Sequence, residues 1–174
     1  MTRTYPDRFT RTVDLYGPDG FARIRAGGVV VAGLGGVGAH AAVALARSGI
    51  GRLHLIDDDV VTRSSLNRHP TAGPGDVGQP KAIVLSAHLG AQCPDTEITP
   101  TIARITDDSL ADLLPVDHGG SYDVVIDAID SIKFKAAMID FCRRRRQPIV
   151  TTGGAGGMTD PSMIQVADLW KTYN

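Results

Sequence analysis

The sequence predicts an α/β domain: a doubly wound, mostly parallel sheet with helices on both faces. Three observations predict it. Short apolar runs alternate with helix-forming stretches, and strands separated by helices pair in parallel with right-handed connections. Between the first apolar run and the first helical stretch stands Gly33-Leu34-Gly35-Gly36-Val37-Gly38. The next apolar run, Leu53-His54-Leu55-Ile56, ends in Asp57, nineteen residues past the last glycine. Strand, glycine-rich turn, helix, strand and acid in that order make a Rossmann-like nucleotide-binding unit.

The elements follow in order. Residues 8–26 read as a helix with apolar positions Val13, Leu15, Phe21 and Ile24, broken at Gly17-Pro18-Asp19-Gly20. The first strand is expected at 28–33, its helix at 36–48 and the second strand at 52–57. Residues 60–78 contain Pro70, Gly73, Pro74, Gly75 and Gly78 and read as a long loop with one helical turn. A loop of that length inside a compact domain usually carries function. A helix at 80–92, a strand at 96–102 and a helix at 107–114 come next. The buried strand Tyr122–Ile126, a helix at 132–145, a strand at 148–152 and a last strand near 162–168 complete the reading. There are no internal repeats.

Composition fits one domain. The 174 residues are 43% hydrophobic, enough for a core, and only 5% aromatic, so that core is aliphatic. No apolar stretch approaches the roughly 20 residues that cross a bilayer. The start, MTRTYPDRF, lacks the apolar core of a secretory signal, so a cytoplasmic location is expected. Cys93 and Cys142 make neither a disulfide framework nor a zinc site. A net charge of −1 exerts no general pull on nucleic acid. An RNA partner would need a local patch, and Arg143-Arg144-Arg145-Arg146 is the candidate. That run also closes a predicted helix, where cations suit the dipole. No aromatic cluster accompanies it for base stacking.

The chemistry is concentrated at one edge. Gly33, Gly35, Gly36 and Gly38 let the backbone turn and bring amides at a helix N-terminus close to a phosphate. Asp57, at a strand's carboxyl end, stands where a ribose hydroxyl would be. An ATP site must also neutralise a triphosphate and its leaving group, so it needs cations near the turn. Arg68 and Lys81 both follow Asp57, on segments leaving the ligand-binding edge of the sheet. Asp130 lies just past the buried strand at the same edge. No group suited to hydride chemistry is evident.

GLGGVG, LIDDD, the Asn67-Arg68 pair, GQPKA and DAIDS, in that order, resemble the ThiF/MoeB superfamily of adenylating enzymes, related to ubiquitin-activating enzymes. The stretches ALARSGIG, VIDAIDS and VTTGGAGG are most similar to the branch of tRNA threonylcarbamoyladenosine dehydratases. The resemblance runs from Arg8 to Lys171. It implies ATP, Mg2+ and a monovalent cation as cofactors. It also implies that Asp57 binds ribose, that Asp59 and Asp130 hold the metal, and that Arg68 and Lys81 grip phosphates with help from Asn67. An arginine near the start, Arg8 or Arg11 with Arg11 preferred, would reach the site of a partner subunit in a homodimer. Ser65 and His69 depart from the family's asparagine and glutamine. Asp127 reads as a structural tie.

The implied reaction is ATP-dependent dehydration of threonylcarbamoyladenosine at position 37 of tRNA, through a carboxyl-adenylate, with sulfur-relay proteins as associated partners. Two alternatives stay open: adenylation of the C-terminal glycine of a ubiquitin-like sulfur carrier, and a non-catalytic nucleotide-binding module. The expected organisation is one adenylating domain over 1–174. It comprises a helical arm at 1–26, a core at 27–152 and the start of a C-terminal portion at 153–174, the rest of which this chain is expected to lack.

Overall fold

The first strand sets the frame. In the computed structural model, which describes residues 5–114, 122–154 and 156–172, strand β1 (Gly28–Ala32) is buried along its whole length. Its side chains alternate between two apolar layers, as a strand's period of two requires. Val29 and Val31 enter one layer and Val30 and Ala32 the other. Strand β2 (Arg52–Ile56) repeats the pattern, with Leu53 and Leu55 on the first face and Ile56 on the second. Strands β3 (Glu97–Thr101), β4 (Val124–Asp127) and β5 (Ile149–Thr151) complete a sheet ordered β3-β2-β1-β4-β5. Every pairing in it is parallel.

Helices α2 (Gly38–Ser48) and α3 (Lys81–Gln92) cover the first face. Ala39, Ala42 and Ala46 of α2 and Leu85 and Leu89 of α3 fall at helical spacing on their buried stripes. The short α4 (Leu110–Leu113) and α5 (Ile132–Arg144) cover the second face through Leu110, Met138 and Cys142. The order of strands reverses between β1 and β4, so their carboxyl ends form the switch point where ligands bind in open α/β sheets.

Helix α1 (Thr10–Ala26) follows a 3₁₀ turn at Asp7–Phe9 and kinks at the expected break, where Gly17 has φ 72° ahead of Pro18. It packs on the opposite, amino edge of the sheet. Phe9 and Phe21 sit against Gly49, ahead of β2. Arg25 donates to the carbonyls of Gly49 and Asp95, ahead of β2 and β3. No helix among the described residues is long and apolar enough to cross a membrane.

One expected element is absent. Residues 162–168 do not form a strand; 3₁₀ turns at Pro161–Met163 and Leu169–Lys171 flank an exposed stretch containing Ile164 and Val166. β-propensity reflects fit to a half-buried pleated surface, and no described strand lies alongside to provide one. The loop at 60–78 holds two 3₁₀ turns rather than one, Arg63–Ser65 and Pro74–Asp76. The helix expected at 107–114 is the shorter α4, which ends at Leu113; Pro115 and the Ala155 position of VTTGGAGG lie outside the described residues.

Candidate functional site

The glycine turn is built by close backbone approach. Gly33 has φ 86°, and a methyl there would stand 2.7 Å from the Ala128 carbonyl oxygen. Its amide donates to Ile56 O (2.9 Å), and the Ala128 amide donates to Ala32 O (2.8 Å). Gly33 thus joins the ends of β1, β2 and β4. Gly38 opens α2, and a methyl on it would be 1.8 Å from Gly33 O. Gly36 faces Arg68, whose Cδ would lie 3.2 Å from an added Cβ, while Gly35 has nothing within 4 Å.

Above this turn is an open cavity of about 760 Å³ at the carboxyl edge of the sheet. Gly33, Gly35, Gly36, Asp57, Asp59, Arg68, Lys81 and Asp130 line it together, brought from five separate segments. Three expected residues stand elsewhere. Gly38 lies behind the turn, holding α2 to β1. Asn67 adjoins the wall, its Oδ1 3.3 Å from Arg68 Nη1. Arg11, with 96% of its side chain exposed and an ion pair to Asp14 at 3.5 Å, belongs to the helix on the opposite edge. Arg8 is held there by an ion pair with Asp95.

Asp57 accepts two amides at once: Leu34 N to Oδ2 (2.5 Å) and Asp59 N to Oδ1 (2.7 Å). Burial raises its carboxyl above the ordinary value, and the two amides and Lys81 work against that rise. Its remaining lone pairs are the ones open to a ligand. Lys81, 8% exposed, begins α3 at the cavity wall. Its amide donates to Asp59 O (3.0 Å), and its ammonium lies 2.6 Å from Asp59 Oδ2, whose side chain is 68% exposed. Arg68 is braced by Ser64 O (2.6 Å). Asp130 is exposed and has no hydrogen-bond partner among the described residues.

Ser65 and His69, the two departures from the family pattern, brace the loop that carries Arg68. Ser65 closes the 3₁₀ turn with Thr62, and its carbonyl accepts from the amides of Arg68 (3.1 Å) and His69 (2.9 Å). His69 Nδ1 accepts the Ala72 amide (3.2 Å), which places the neutral ring's proton on Nε2. That nitrogen is buried without a partner among the described residues, and burial lowers the imidazole's pKa.

Oxygens of Asp57, Asp58 and Asp59 all lie within 4.8 Å of one another, a group that does not include Asp130. Mg2+ binds proteins through one or two carboxylates and keeps its other positions for water and phosphate. Asp59 and Asp130 are both exposed and both line the cavity.

Sequence reasoning missed Lys135 and Arg104, which also line the cavity. Lys135, Met138 and Cys142 stand at i, i+3 and i+7 on α5, so a charge falls on the buried stripe. That is a readable sign of a paired cation. Asp127, fully buried, is its partner at 2.8 Å and accepts the Thr151 hydroxyl at 2.5 Å, a structural tie as expected. Ile56, Ala103 and Ile105 form an apolar wall beside β2. Both cysteines are buried, and burial raises both thiols, Cys142 to about 11 with help from Asp127.

Fold and site together define a Rossmann-like α/β domain whose glycine turn, carboxylates and cations meet in one cavity at the carboxyl edge of the sheet. The chain belongs to the ThiF family, whose model matches residues 9–173. It is 44% identical over 172 residues to the tRNA threonylcarbamoyladenosine dehydratase of Escherichia coli, covering 99% of this chain and 63% of that protein. The Haemophilus influenzae enzyme of the same name is 42% identical over 168 residues, 97% of this chain and 63% of that one. The chain therefore spans somewhat less than two thirds of the length of these relatives. A crystal structure of the E. coli dehydratase in complex with ATP superposes with a TM-score of 0.91 at 43% identity, covering 98% of this chain and 69% of that one.

Proposed function

We propose that the cavity binds ATP and transfers its adenylyl group to a carboxylate, and that this carboxylate belongs to threonylcarbamoyladenosine at position 37 of tRNA. One observation carries the reading. Buried Lys81 and Gly36-packed Arg68 border the same cavity as the glycine turn and the Asp57 carboxylate. Such an arrangement suits a triphosphate. The 44% identity to a named dehydratase supports the choice of carboxylate.

The adenine ring would lie on the apolar wall of Ile56, Ala103 and Ile105, with its ribose at Asp57. Gly35, which has open space before it, lets phosphate oxygens approach the turn, and Arg68 and Lys81 balance their charge. Asp59 and Asp130 would hold Mg2+, which when bound would add to the neutralisation of the phosphates. A substrate carboxylate oxygen attacks the α-phosphorus, the bond to the bridging oxygen breaks, and pyrophosphate leaves. The acyl carbon of the resulting adenylate is then attacked by an internal nucleophile of the same nucleoside, which gives up a proton. AMP departs and a ring closes, with net loss of one water. The residues supply position and charge, the main sources of catalysis in phosphoryl-group chemistry.

Arg11 stands on the edge opposite its own chain's cavity, so its role would be in the site of a neighbouring copy, a guanidinium supplied in trans within a homodimer.

The test is nucleoside mass spectrometry of tRNA bearing threonylcarbamoyladenosine after incubation with this chain, ATP and Mg2+. Loss of one water, abolished by Asp130→Ala, is the expected result. Bound ATP with no water lost from the nucleoside would refute the dehydration reading.

A further inference from the structure

The wall of the cavity formed by α5 and β5 carries a cation that the phosphate chemistry does not use. Lys135 Nζ lies 2.8 Å from Asp127 Oδ1 and 3.4 Å from Thr151 Oγ1. Thr151 in turn donates to Asp127 Oδ2 (2.5 Å), and the Ile129 amide donates to Oδ1 (3.2 Å). Asp127 is therefore well satisfied. An ammonium has three N–H donors, and this network takes two. Lys135 keeps 17% of its side chain exposed and lines the cavity, so its third donor has the cavity before it.

A structural tie alone does not explain this arrangement. An ion pair taken out of water stabilises a fold no better than a well-packed apolar pair, and α5 is otherwise apolar on this stripe. The position is informative as well. Arg68 and Lys81 come from segments after β2, whereas Lys135 comes from the β4–β5 side of the switch point. In an in-line displacement the nucleophile enters opposite the leaving group. A cation away from the phosphate-gripping pair is where an incoming carboxylate needs its counter-charge.

We propose that Lys135 is the anchor for the substrate carboxylate, holding it by one charge-assisted hydrogen bond while Asp127 and Thr151 fix the ammonium. The identity of the carboxylate rests on the dehydratase reading above; the anchoring does not require turnover.

The experiment is calorimetric titration of the nucleoside N6-threonylcarbamoyladenosine into the protein with a non-hydrolysable ATP analogue. Its uncharged methyl ester serves as the control ligand. Lys135→Met strands a buried carboxylate and risks misfolding, so Asp127→Asn/Lys135→Met, which removes both charges, is measured beside it. The acid is expected to bind wild type at least about tenfold more tightly than the ester, the worth of one hydrogen bond to a charged group. The double variant should lose that preference while retaining its melting temperature and its affinity for the ATP analogue. Equal binding of acid and ester to wild type overturns the proposal, as does full acid preference in the double variant, which would reduce Lys135 to a partner for Asp127. Lys135-dependent acid binding without dehydration in the mass-spectrometric assay would retain the anchor and remove the dehydratase reading.

Discussion

Alanine at Gly38 and alanine at Gly35 should have opposite consequences, although the two glycines stand three residues apart in one motif. A methyl on Gly38 would lie 1.8 Å from Gly33 O, far inside van der Waals contact, and the neighbour is backbone. Gly33 has no room to retreat, because its own added Cβ would sit 2.7 Å from Ala128 O. Relief therefore requires α2 to move away from β1. Overpacking of this kind costs about 1–3 kcal/mol, and alanine's better helix propensity offsets at most about 1 kcal/mol. With a backbone atom as the obstacle the high end applies, for a net loss of about 2 kcal/mol. For a chain of this size that lowers Tm by roughly 4–8 °C. A methyl on Gly35 meets nothing within 4 Å, so its effect on stability should stay within about 0.5 kcal/mol. It does intrude where phosphate is proposed to approach, and ATP affinity should fall about tenfold or more, the loss of one hydrogen bond to a charged group. Thermal melting by circular dichroism and ATP titration calorimetry separate the two. A Gly38→Ala variant that melts with wild type, or a Gly35→Ala variant that binds ATP unchanged, would refute the reasoning.

Two further outcomes follow from the geometry. Arg11→Ala and Lys81→Met variants should each fail to dehydrate tRNA. Their mixture should recover about a quarter of wild-type activity, because half of randomly formed dimers are mixed and each then holds one complete site of two; no recovery would exclude Arg11 as a trans residue. The second outcome concerns pH. Burial lowers both His54 and His69 below the ordinary imidazole value of 6.5, so the unfolded chain takes up protons first as pH falls. Stability should then decline from about pH 6.5 downward until the folded-state values are reached. His69→Gln keeps an acceptor for the Ala72 amide without a titrating ring and should make that decline shallower in denaturant melts at successive pH values. An unchanged slope would show that His69 contributes nothing to it.

Much of the fold was legible because its signals are local. The unbroken apolar run Val29-Val30-Val31-Ala32 marks a strand buried on both faces and is readable without partners, and so is the acid ending the next apolar run. The kink at Gly17 and the start of α3 at Lys81 are likewise matters of local backbone chemistry. The expected strand near 162–168 failed because a strand's stability comes from a neighbour, and composition cannot show whether one is present. Lys135 went unread for a related reason: its significance depends on Asp127 and Thr151, which are close only after β4 and β5 pair.

By itself, the sequence determined the class of domain, the order of its elements and the residue types available for a nucleotide site. Those follow from backbone torsions and hydrophobic periodicity, properties of short segments. Only the tertiary structure decided how those residues divide the labour. It separated Gly38, which holds helix to strand, from Gly35, which leaves room for a ligand. It occupied both oxygens of Asp57 with amides and tied Arg8 to Asp95 while leaving Arg11 exposed on the far edge. Distances of a few ångströms between residues far apart in the chain set these roles, and such distances exist only once the sheet has formed.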